Sequence, residues 1–178
     1  TMNYTINDQS FIRLSGERSY TTPDLSNISN VEQIIDSLQI RRGNPNLKVS
    51  HTWMTNLYYE WRKGVFGINA NLFYMYQNHP VMEETLLENN KFIRTTMNQN
   101  SWQKVNPEVQ LQIGPLFNIL SLSATGGVNY FDSHGIDYHH YYTNWYYQLD
   151  VTAQYKRVTL YMQVNNHKND FYGETCTY

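Results

Sequence analysis

From Tyr141 to Tyr155 the chain alternates without a break. Tyr141, Thr143, Trp145, Tyr147, Leu149, Val151, Ala153 and Tyr155 form one series, largely apolar and aromatic. Tyr142, Asn144, Tyr146, Gln148, Asp150, Thr152 and Gln154 form the other, which is polar and holds the segment's one charge. A period of two is the signature of a β-strand with two unlike faces. The run also exceeds the usual strand of a soluble domain, about 5–6 residues.

The same pattern predicts seven strands. The first covers residues 9–20 and is the least regular. The second covers 47–61, with Trp53, Leu57, Tyr59 and Trp61 on one face. The third starts at Val65 and reads as continuing past Pro80 towards Leu87, with Phe66, Ile68, Ala70, Leu72, Tyr74 and Tyr76 opposing Asn69 and Asn71. The fourth covers 91–113, blurs around 98–101, and then sets Val105, Pro107, Val109, Leu111 and Ile113 against Asn106, Glu108, Gln110 and Gln112. Pro107 argues against a perfectly regular ladder there. The fifth covers 119–131, the sixth is the opening example, and the seventh starts at Val158. Gly126-Gly127 inside a strand marks a kink or close packing.

One helix is predicted over residues 31–38. Val31, Ile34, Ile35 and Leu38 have helical spacing, Asn30 with Gln33 resembles a capping box, and Arg41, Arg42 and Gly43 suit a C-terminus.

The connections alternate in length. Turns at 62–64, 114–118 and 156–157 are short; the other connections are long. Short turns at one rim and long excursions at the other fit an outer-membrane barrel. Apolar faces carry no charge, whereas Glu60, Glu108 and Asp150 have the opposite parity. Trp61, Phe66, Phe117 and Tyr155 lie near the short turns; Trp53, Tyr74, Tyr76, Tyr130 and Tyr141 lie towards the long loops. Aliphatic residues fall between these groups, as between two interfacial aromatic girdles. The fold class expected is all-β: an antiparallel up-and-down transmembrane β-barrel segment of about seven long strands, with one short helix in an extracellular loop. A secreted β-sandwich or adhesin-like binding module is the competing reading, distinguished by folding without detergent.

Composition changes this picture little. The 178 residues carry a net charge of −2, so no basic surface points to nucleic acid. Sixteen tyrosines and four tryptophans are a heavy aromatic load. No run of 18 apolar residues exists, and a barrel does not need one. The single cysteine, Cys176, excludes a disulfide framework and reads as an incidental thiol. The first ten residues lack the features of a signal peptide, and Thr1 is not a start residue, so the chain reads as a processed product or a piece of something longer.

Candidate chemistry is sparse. Residues 132–140 read as a loop with Asp132, His134, Asp137, His139 and His140, whose imidazoles and carboxylates suit a transition metal. Their spacing matches no standard site, so no metal is assigned and a solvated or ligand-touching loop is favoured. Glu83 and Glu84, with Glu88, read as an exposed hairpin tip. The tyrosines and tryptophan of 138–147 could stack on sugars, though an interfacial belt accounts for them. No nucleophile–base order, phosphate-binding glycine loop or metalloprotease helix is present, so neither an enzyme nor a cofactor is expected.

Gly43-Asn44-Pro45-Asn46-Leu47-Lys48 resembles the "GNPNLKP" element of outer-membrane TonB-dependent receptors, with Val49 where that family often has Pro. The segment from Trp61-Arg62-Lys63-Gly64 to Leu72-Phe73-Tyr74 resembles the next hairpin of such a barrel. The resemblance implies a barrel of some 22 strands around a plug domain. It implies a bacterial outer-membrane location, contact with lipid, and a small-molecule, oligosaccharide or peptide ligand at the outer loops. It also implies an inner-membrane energy-coupling complex that acts through the plug. On this reading residues 1–178 are one partial barrel domain, with plug and remaining strands outside it. His134, Asp137, His139, His140, Glu83 and Glu84 are the loop residues expected to face ligand.

Overall fold

The computed structural model describes residues 1–166, 170–172 and 175–177. In chain order the strands are β1 (Met2–Asn7), β2 (Ser10–Thr21), β3 (Gln33–Ile34), β4 (Gln39–Arg41), β5 (Ser50–Lys63), β6 (Phe66–Asn78), β7 (Val81–Glu88), β8 (Lys91–Asn98), β9 (Ser101–Leu116), β10 (Leu120–His134), β11 (His139–Tyr155), β12 (Val158–Asn165), β13 (Asp170–Tyr172) and β14 (Thr175–Thr177). A four-residue helix, α1 (Leu25–Ile28), lies between β2 and β3.

Eight strands form one open antiparallel sheet in the order β1-β2-β5-β6-β9-β10-β11-β12. This is the up-and-down order the alternation predicted, with β1 added. The edge strand β1 is short and carries a register irregularity between Thr5 and Asn7, which leaves it little sequence signal. Four tight connections lie at one end of the sheet: residues 8–9, 64–65, 117–119 and 156–157. Positive φ at Gly64, Phe117, Asn118 and Lys156 gives the last three of these turns the left-handed backbone that matches strand twist. The turn predicted at 114–118 shifts by two residues, because β9 runs on to Leu116 through a register irregularity. Gly114 makes that possible at φ 137°, where an added Cβ would lie 2.8 Å from the Leu120 carbonyl oxygen.

Register places the two predicted series on opposite faces. Leu57, Leu72 and Pro107 share one face, as do Ile68, Leu111, Ala124, Leu149 and Val164. Val109, Leu111 and Leu149 are each 47% exposed, so this face is not the core of the chain. The other face carries Asn69 hydrogen-bonded to Gln110, Gln110 to Ser123, and Gln148 to Asp150. Among the described residues no second sheet covers the apolar face, whereas a β-sandwich buries that face between two sheets. An outward apolar face and an inward polar face define a barrel wall in lipid.

Pro107 sits in the middle of this wall. Its pairing with Leu72 on β6 is regular, but the β9–β10 ladder is interrupted between Glu108–Gly127 and Val105–Tyr130. The missing donor therefore faces β10, opposite Val128. The Asn106 side-chain amide replaces it, donating to the Val128 carbonyl at 2.9 Å and to Asn129 Oδ1 at 2.8 Å. Gly127 completes the arrangement, since a Cβ there would lie 2.5 Å from the Tyr146 hydroxyl.

Three expectations are corrected. The third strand does not run through Pro80 to Leu87, nor the fourth from Lys91 to Ile113. His79 takes φ 53°, Pro80 lacks a donor, and the chain leaves the main sheet at this joint. β7 and β8 instead form a hairpin in a separate sheet of order β3-β4-β8-β7. The helix predicted at 31–38 is a β3–β4 hairpin, and the helix of this loop is the single turn at Leu25–Ile28. Asp36 makes the turn by accepting from the Leu38 and Gln39 amides at 2.7 and 2.8 Å. Ile34 is 78% exposed, so the supposed apolar stripe has nothing to pack on. The side chain of Cys176, and residues Glu174 and Tyr178, lie outside the described residues.

Two substitutions test the wall. Asn106→Ala removes the substitute donor and leaves a carbonyl unpaired, with an expected loss of about 1–3 kcal/mol. Leu149→Arg places a charge against lipid and should lose about 2–4 kcal/mol. Both are read from urea unfolding of the lipid-reconstituted protein, and Thr152→Arg, on the polar face, should lose clearly less.

Candidate functional site at the outer rim

The long connections gather at the end opposite the tight turns. β4 joins β8 in parallel, pairing Gln39–Phe92, Ile40–Ile93 and Arg41–Arg94. Ile40 and Ile93 are buried and form the small core of this outer body. Arg42 binds Glu32 at 2.7 Å and Glu88 at 3.3 Å, tying the first loop to the β7–β8 hairpin. The hydrogen bond from Arg42 to Glu32 leads the effects that raise its already high pKa.

The Gly43–Lys48 element is a clip within this body. An added Cβ at Gly43 would lie 2.3 Å from the Ser29 carbonyl oxygen, so only glycine fits. Asn44 donates from its backbone to the Asn27 carbonyl and from its side chain to the Thr96 carbonyl at 3.1 Å. Its Oδ1 also accepts from the Asn46 amide at 3.0 Å. Lys48 and Asn98 exchange two hydrogen bonds, at 2.6 and 3.0 Å, which hand the chain to β5.

Gln99 is the residue that sequence reasoning missed. It is 2% exposed and lies between β8 and β9. Its amide nitrogen donates to Glu84, and its oxygen accepts from the Ile136 amide at 2.9 Å. Its neighbour Asn100 donates to the Gly135 carbonyl at 2.7 Å. These bonds join the β7–β8 hairpin to the β10–β11 connection, and no local pattern could reveal partners so distant in sequence.

Residues 132–140 are mostly strand and not loop. β10 extends to His134 and β11 begins at His139, leaving residues 135–138 as the turn. Long strands continue their cross-strand pairing beyond the membrane, and the Gly135 amide to Tyr138 carbonyl bond closes the tip at 2.9 Å. The pairing sets His134 opposite His139 with rings stacked 4.0 Å apart. Both reach Asp132, at 3.3 Å from His134 and 2.7 Å from His139. Gln103 donates to the same carboxylate at 3.0 Å, and Tyr74 donates to Gln103 at 3.2 Å.

The apolar band of β10 ends at Tyr130, eleven residues from Leu120 and enough to cross a bilayer, so Asp132 lies beyond it. Burial pushes the Asp132 carboxyl up. Hydrogen bonds from Gln103 and His139, with His134 beside them, outweigh burial and hold it below the usual carboxylate value.

The remaining sequence candidates do not join this cluster. His140 has the opposite parity and stacks on Tyr138 at 4.9 Å, and Asp137 is exposed at the turn. Glu83 pairs with Arg94 at 3.0 Å, Glu84 accepts from Gln99, and Glu88 binds Arg42, so the three glutamates do not converge.

A single wall of long antiparallel strands, apolar outside, polar inside and joined by an elaborated outer rim, defines an outer-membrane β-barrel protein. The sequence profile described as the outer membrane protein beta-barrel family matches residues 1–172, and the chain belongs to that family. It is therefore a protein of the bacterial outer membrane. Among solved structures it is similar to the siderophore receptor PirA from Pseudomonas aeruginosa, with 15% identity and a TM-score of 0.63 over 92% of this chain and 32% of that one. It also matches a mutant of the ferric enterobactin receptor PfeA from Pseudomonas aeruginosa, with 12% identity and a TM-score of 0.46 over 95% of this chain and 34% of that one. The chain thus spans about a third of the length of these receptors. No curated protein sequence matches it significantly.

Gln99→Ala should unpair Glu84 and the Ile136 amide while leaving the wall intact. Limited proteolysis of the membrane-embedded protein should show faster cleavage within residues 135–138, with the unfolding midpoint of the barrel unchanged.

Proposed function

We propose that this chain is the barrel-wall part of a TonB-dependent receptor that imports a nutrient ligand with energy from the inner membrane. One observation carries the reading. The polar face of the wall is lined by amide side chains that bond one another, Asn69 to Gln110, Gln112 to Gln110 and Gln110 to Ser123. A face of amides turned inward suits a polar body inside the barrel. A plug domain of the same protein is the proposed occupant, and residues 1–178 form one partial barrel domain around it.

The apolar face is solvated by outer-membrane lipid. The outer body carries the ligand-facing residues: His134, His139, His140 and Asp137 at the β10–β11 tip, and Glu83 and Glu84 on the β7–β8 hairpin. The ligand is a small molecule, oligosaccharide or peptide. The fold shared with PirA supports a siderophore as the first candidate to try. Energy reaches the plug from an inner-membrane complex, and the wall itself performs no catalysis.

The test is uptake by cells carrying the complete gene or its deletion, using labelled ferric siderophores, oligosaccharides and peptides. One class should accumulate only in cells with the gene. A protonophore should stop accumulation while surface binding persists. Accumulation that survives the protonophore would make the protein a passive pore.

A further inference from the structure

We propose that Asp132, His134 and His139 form a binding site for a divalent first-row transition ion, zinc above all, at the outer rim of the wall. The three side chains come from two neighbouring strands and share the outward parity of Tyr130 and Tyr141. Their donor atoms all lie within 4.8 Å of one another. Two imidazoles and one carboxylate are a donor set that zinc accepts, with metal–ligand distances of about 2.0–2.2 Å and donors therefore about 3.3 Å apart.

One of the separations already matches that scale, and a second is a hydrogen-bond contact that would open by about half an ångström on binding. His134 Nε2 lies 3.3 Å from one carboxylate oxygen of Asp132, and His139 Nε2 lies 2.7 Å from the other. Both imidazoles thus present the same nitrogen to one carboxylate. Their side chains are 49% and 53% exposed, so an ion reaches them from solvent.

The carboxylate, by contrast, is fixed. Asp132 is 6% exposed, and the Tyr74–Gln103 chain of hydrogen bonds orients it from behind. Metal-bound carboxylates are held in this way by outer partners. A hydrogen-bonded histidine pair explains the contacts to Asp132. It does not account for two stacked imidazoles converging on a carboxylate that is already held by Gln103.

Three protein ligands leave one tetrahedral position for water on the solvent side. A bound ion would staple the ends of β10 and β11 together just before the 135–138 turn. The site takes His134 and His139 from the ligand-facing set, adds Asp132 and leaves His140, Asp137, Glu83 and Glu84 outside it, and it stands whether or not the import reading holds.

The experiment uses the full-length protein, extracted from outer membranes in detergent and freed of metal. Zinc is titrated against a chromophoric chelator, and cobalt(II) serves as a spectroscopic probe. The expected result is one zinc bound at this site per chain, with a cobalt spectrum of nitrogen and oxygen ligation. His134→Ala with His139→Ala should weaken binding at least tenfold, as should Asp132→Asn, while His140→Gln leaves it unchanged. Equal zinc binding in the double variant, absence of binding in the parent, or loss of binding in His140→Gln would each overturn the proposal. Heat-dependent mobility on denaturing gels confirms that each variant is folded.

Discussion

Strand-to-strand backbone hydrogen bonding carries this structure, because the apolar face of the wall buries almost nothing within the chain. The few buried apolar side chains, among them Trp102, Phe131 and Tyr146, lie on the polar side of the main sheet, and Ile40 and Ile93 lie in the outer body. In hydrocarbon an unpaired peptide group costs several kcal/mol, so the ladder must be complete wherever lipid replaces water. That requirement explains the uninterrupted β5–β6 and β6–β9 registers, the tight turns at one rim, and the side-chain repair at Pro107. The apolar residues then make the finished ladder compatible with the bilayer.

Above the membrane the constraint relaxes and the chain behaves differently. β6 and β9 no longer pair beyond Asn78 and Ser101, and the segment between them folds back as a hairpin that recruits the first loop. Arg42, Gln99 and Asn98 then bind partners from other connections, so the outer body is one unit built from three excursions. These ties lie beyond the end of the β6–β9 ladder, so the rim holds together without interrupting the wall beneath it.

How much was legible depended on what fixed each element. The wall strands were plain, since lipid on one side and a polar interior on the other impose a strict period of two, clearest in Tyr141–Tyr155. Val31, Ile34, Ile35 and Leu38 satisfied a helical spacing by coincidence; with no surface to pack against, the spacing carried no energy, and Asp36 decided for a hairpin. His79-Pro80 looked like a tolerated interruption because the strand texture resumes at Val81, yet the backbone at His79 redirects the chain. In the candidate site, the histidines and Asp132 were visible as residue types. Their selection over His140 and Asp137 came from cross-strand register, and Gln99 and Gln103 came from contacts no local window contains.

Pro107 and Asn106 also bear on how the wall responds to force. Along β5–β6 and β6–β9 neighbouring strands are joined by unbroken rungs of peptide groups, which resist shear collectively. Between β9 and β10, opposite Val128, a single side-chain amide on a rotatable stem takes the place of a rung. Bending stiffness is therefore not uniform around the circumference. Within the described strands this seam is joined by a side chain in place of a peptide rung, so β9 and β10 shear past one another more easily here than where the ladder is complete.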